Sequence, residues 1–187
     1  MKRVLVGLLL FITMSFTTAA QGKTSNAPVK NYLAKLGKTL AENDPHFQKL
    51  GRLVDSHNGE FAHYQEMSEE MRKAGLDTTD RDKYFARNAP TTGAWFSTIN
   101  ALRPQVRKLR QIKVVPKSMK RADAAWVRYS LHMERTLNYF VGWRRGQNSA
   151  DAAFANLDKS LKLFSTALDL TEDAKDATMN TKKYTNG

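Results

Sequence analysis

From Met119 to Trp143 the chain repeats one spacing: Met119, Ala122, Trp126, Tyr129, Met133, Thr136, Phe140 and Trp143 recur at alternating steps of three and four. On an α-helix that spacing gathers the large side chains into one stripe, which has to be covered by other helices. Arg121, Arg128 and Arg135 fall on the opposite side and face water. A chain containing such a segment is committed to helix-on-helix packing, with positive charge left outside.

The same period recurs elsewhere. Val29, Tyr32, Leu33, Leu36 and Leu40 mark a first helix, which Asn43-Asp44-Pro45 is expected to end, because Asp44 can cap and Pro45 can start a new helix. Phe47, Leu50, Val54, His57, Phe61, Tyr64, Ser68 and Met71 line a second, stopped by Gly75. Thr91 or Thr92 can cap a third, with Trp95, Ile99, Leu102, Val106 and Leu109 in phase across a kink at Pro104. Ser118 can cap the central helix and Ser149 the last, whose stripe is Phe154, Leu157, Leu161, Phe164 and Leu168.

No strand pattern, second domain or internal repeat competes. The expected fold is all-α: an antiparallel four-helix bundle with an additional N-terminal helix and a polar C-terminal tail. Residues 21–171 form the single bundle domain and 172–187 the tail. Unbroken heptads also suit a coiled coil that self-associates, but Trp95, Trp126, Phe140, Trp143 and Phe154 need a wider core than a two-stranded seam.

The N-terminus carries an address. Lys2 and Arg3 precede the apolar run Val4–Phe16, and Thr18-Ala19-Ala20 suits signal peptidase, so residues 1–20 read as a cleavable secretory signal. The run is short of the ~20 residues of a membrane span. The expected location is outside the cytoplasm, in a periplasm or beyond. With no cysteine in the chain, the fold has to rest on packing rather than disulfides.

The formal charge is +12, and the excess is concentrated. No acidic residue lies between Asp82 and Asp123, whereas Arg103, Arg107, Arg110, Lys113, Lys117, Lys120 and Arg121 follow one another along the third helix and into the central one. These seven are the expected binding residues, for an anionic surface, an envelope polymer or an envelope protein, with peripheral membrane contact included. Sequence-specific nucleic-acid reading has no motif to support it.

Catalytic signatures are missing: there is no nucleophile elbow, His-Glu-x-x-His, phosphate loop or dinucleotide fingerprint. A secreted enzyme would need a site assembled only in three dimensions. Glu60 and His63 have the Glu-x-x-His spacing of di-metal bundles, but the pair occurs once. His57 sits where a core leucine belongs. Counted from Pro45, it lies at the height of Met133 counted from Met119, so the two are candidate axial ligands of a b-type haem, with His132 as an alternative. The main expectation is an exported, non-enzymatic binding or structural protein without a cofactor.

Overall fold

The computed structural model describes residues 27–75 and 87–179, without the side chains of 58–65, 67, 71 and 179. The expected secretory signal at 1–20, residues 76–86 and the end of the expected tail therefore lie outside the described residues, as do the side chains of Glu60 and His63. Four main helices are present: α1 (Ala27–Lys73), α2 (Thr92–Lys108), α3 (Lys120–Arg144) and α4 (Ala150–Met179). Single 3₁₀ turns, Leu109–Gln111 and Lys117–Met119, flank the α2–α3 connection. No strand occurs among the described residues, and no described helix is long and apolar enough to cross a membrane.

The helices alternate in direction. At one end, here the near end, Tyr32 of α1 donates to Asp123 of α3, and further along α1 Glu42 pairs with Lys108, the last residue of α2. Trp126 Nε1 of α3 donates to Thr171 Oγ1 of α4 at that end as well, 3.0 Å apart. At the far end, Arg144 of α3 reaches Thr91 beside the start of α2, and His57 of α1 meets Trp143 and Phe154. The all-α four-helix bundle is thus as expected.

The additional N-terminal helix is not separate. α1 runs through Asn43-Asp44-Pro45 as 47 continuous residues, about 70 Å if straight. A proline removes one backbone donor and crowds the preceding turn, but packing outweighs that local cost here. Val29, Leu33, Leu36, Leu40, Asn43, Phe47, Leu50, Val54 and His57 keep one alternating seam across the proline, so breaking the helix would uncover it. Buried Asn43 is the polar member of that seam. Pro104 is carried inside α2 in the same way.

Every seam residue of α3 from Met119 to Trp143 is buried, as are Trp95, Ile99, Leu102, Val106 and Leu109. In α4 the deeply buried line is Ala153, Leu157, Ser160, Phe164, Ala167 and Thr171, turned slightly from the all-large stripe. Phe154, Leu161 and Leu168 flank it, half-buried. Small residues there let α4 approach α3 closely while its large side chains close the edges. Helix α4 also continues past Thr171 to Met179, so the first half of the expected tail is helical.

The ends use the chemistry their residues offer. After α3, Gly146 adopts φ 69°; its N–H bonds Trp143 O at 2.8 Å and that of Gln147 bonds Gly142 O at 2.8 Å, a Schellman ending. Ser149 Oγ accepts from Ala152 N and caps α4. Gly75 takes the left-handed conformation after α1. Ser118 does not cap α3, because it lies inside the 3₁₀ turn that precedes it.

Candidate binding surface and buried polar groups

The seven basic residues divide into two groups. Arg107 and Arg110 both grip Glu134 of α3; the Arg107 Nε–Oε1 distance is 2.6 Å and the Arg110 Nη2–Oε2 distance 2.8 Å. Arg103 donates to Asn138 Oδ1 at 2.8 Å. The seven expected binding residues are therefore not equivalent, since these three have partners on α3. The span has no acid of its own, but the next helix supplies one at the height where two arginines can share it.

Glu134 is held below the usual carboxylate range, first by the hydrogen bond from Arg107 and also by Arg110, against the opposing effect of its partial burial. Exchange of Glu134 for glutamine is expected to cost about 1 kcal/mol or less, since exposed arginines are screened by water. The lowered carboxyl contributes stability above its normal range, lost as the pH falls through the folded value. A urea titration at pH 7 and pH 3 checks this: the difference between Glu134→Gln and the parent should be smaller at the lower pH.

The second group lies at the near end. Lys113, Lys117, Lys120 and Arg121 are exposed and form no ion pair among the described residues. They surround the extended connection between α2 and α3. Helix α4 packs against the Lys117–Met119 turn, and Asp173 and Asp176 are exposed on its last turns.

At the tip of the connection Val114 has φ 63° and is 80% exposed. A β-branched residue in the left-handed region is a genuine outlier and costs about 1–2 kcal/mol. Half-buried Ile112 and Val115 pack on the core on either side, and Pro116 restricts the exit. The sequence reading did not single out Val114. In sequence, two valines between lysines ahead of Pro116 signal no more than the end of a helix.

The far end holds an aromatic cluster around a buried cation. Arg144 is 1% exposed, and its guanidinium lies 4.0 Å from the Trp143 ring centroid and 5.0 Å from that of Trp95. Its Nη2 donates to Thr91 Oγ1 at 3.3 Å, so that hydroxyl meets Arg144 as well as standing at the helix start. In sequence Arg144 reads as a cation serving a helix C-terminus, and only the fold places it inside.

His57 belongs to this cluster, with Trp143 edge-on at 4.6 Å and Phe154 stacked at 5.4 Å. It does not face Met133, which is ten positions before Trp143 and about 15 Å lower along α3. The equal heights inferred from sequence depended on a helix starting at Pro45; α1 starts at Ala27, which moves His57 to the far end. Burial, then the Arg144 charge, lowers the imidazole to a pKa of about 4.

His132, the alternative ligand, is engaged differently. Its Nδ1 is 2.9 Å from Ser160 Oγ, which is 2.8 Å from Thr136 Oγ1; Thr136 also donates to Asn156 O at 3.1 Å. A serine beside a histidine suggests a nucleophile and its base. Ser160 and Thr136 are both 0% exposed, so no substrate reaches that hydroxyl in this conformation, and the chain of contacts serves as a polar layer joining α3 to α4. Among the described residues no three His, Asp or Glu side chains gather as a metal site.

No protein-family model, curated protein or solved structure matches this chain.

Proposed function

We propose that the protein is an exported, non-enzymatic binding or structural component of the cell envelope, and that it meets an anionic partner with the near end of its bundle. One observation carries the reading: Lys113, Lys117, Lys120 and Arg121 form a contiguous exposed group without ion pairs among the described residues. The neighbouring arginines, by contrast, are engaged by Glu134 and Asn138. A helical frame holds the ends of the loop in place, so these cations meet a partner at limited entropic cost. The N-terminal signal pattern supports the compartment, and an envelope supplies anionic surfaces and polymers in abundance.

Heparin serves as a generic polyanion for the test. About four charge contacts predict a loss of affinity of roughly a few hundredfold between about 50 and about 300 mM salt. Lys117→Glu with Lys120→Glu should abolish most binding, whereas Arg103→Gln should change it little. Affinity that ignores salt, or that follows Arg103 rather than Lys117 and Lys120, would overturn the assignment.

A further inference from the structure

We infer that the Ile112–Pro116 connection is a membrane-docking tip for anionic phospholipid, with Val114 entering the interface while Lys113, Lys117, Lys120 and Arg121 hold lipid phosphates. This rests on the basic near end proposed above and names its partner.

Charge alone does not separate a lipid surface from a soluble polymer; Val114 does. It is β-branched at φ 63°, a conformation natural to glycine or asparagine, and it gains no burial in return, being 80% exposed. Isolated exposed valines are ordinary, but one held in a disfavoured backbone conformation at a loop tip sets local preference against the fold. A soluble polyanion offers nothing to such a side chain. A bilayer interface offers apolar volume to the valine and phosphates to the cations around it.

The anchoring side chains make the tip stiff. Ile112 and Val115 pack against the core, and Leu109 and Met119, buried at either side, fix where the connection leaves and rejoins the bundle.

The absence of cysteine makes the test direct. Val114→Cys in the full chain, labelled with a polarity-sensitive dye, reports this position alone, and Lys159→Cys on exposed α4 is the control. With vesicles containing phosphatidylglycerol the label at 114 should shift to the blue and the label at 159 should not. Pure phosphatidylcholine vesicles and heparin should leave both unchanged. Val114→Gly, which relieves the backbone, should fold at least as well as the parent but bind phosphatidylglycerol vesicles roughly fivefold more weakly, as expected for losing one apolar side chain from an interface.

Salt-sensitive heparin binding, with no shift of the label at 114 on phosphatidylglycerol vesicles, would overturn the membrane tip and leave the basic-surface reading standing. Absence of binding to heparin and vesicles alike would overturn both. Equal shifts at 114 and 159 would place the contact elsewhere and also reject the tip.

Discussion

Replacing Trp143 by alanine is expected to destabilise the protein by about 4 kcal/mol, the cost of emptying a large aromatic site in a closely packed core. The ring is 4% exposed and touches aromatic partners from three other helices or turns of the bundle: His57 at 4.6 Å, Trp95 at 5.4 Å and Phe154 at 5.8 Å between centroids. It also covers one face of the Arg144 guanidinium. Its removal leaves a cavity and takes away the better of the two surfaces shielding a buried cation. For a chain of this size the midpoint of thermal unfolding should fall by roughly 8–16 °C.

Trp143→Phe should recover more than half of that, since an aromatic face remains at the same place. Urea unfolding at pH 7 measures both variants, and an unchanged slope would show that the loss is one of stability and not of cooperativity. A deficit below about 1.5 kcal/mol for the alanine variant would show that the cluster is not packed as described.

Acid destabilisation is the second large effect, and His57 gives it a definite window. Above pH 6.5 its imidazole is neutral in the folded and unfolded chain and contributes no slope. Between 6.5 and about 4 the unfolded chain takes up a proton that the buried ring resists, so stability falls as the pH falls. Below about 4 both forms are protonated and this loss levels off. After allowance for residual solvent screening the total is about 2 kcal/mol.

His57→Leu should abolish that slope. Leucine keeps apolar contact with Trp143 and Phe154 and cannot be charged. At pH 7 the variant should be close to the parent, and near pH 4.5 more stable by roughly 2 kcal/mol. Chemical unfolding at half-unit pH intervals reads the difference. Parallel curves for the two proteins would mean that the ring is open to water. The Glu134 contribution is lost only from the ordinary carboxylate range downward, so the upper part of the His57 window is free of it.

These cases show where sequence reasoning held. The α3 seam was legible because each of its members serves the same core and nothing interrupts the period; all eight are buried. Pro104 was read correctly as interior to a helix, on continuity of phase. The same criterion applied at Pro45 would have joined the first two helices through Asn43. A polar seam member beside Asp-Pro concealed it, since the local capping signal is strong and the tertiary benefit is spread over many residues. The matched heights of His57 and Met133 rested on a helix start at Pro45 that α1 does not have.

Glu134 was not visible as a partner of Arg107 and Arg110 because it lies on another helix, 24 positions from the nearer of them. Val114 carried no sequence signal of a positive φ, which residue type disfavours. Arg144 read as a surface cation.

By itself the sequence determined the helical class, the stripes that had to be covered and the local concentration of positive charge, because period and composition act residue by residue. Only the tertiary structure decided which proline was tolerated, which arginines were neutralised and which four cations were left around an exposed valine. Those outcomes depend on the height at which one helix meets another, and that height is set by packing summed over the whole bundle.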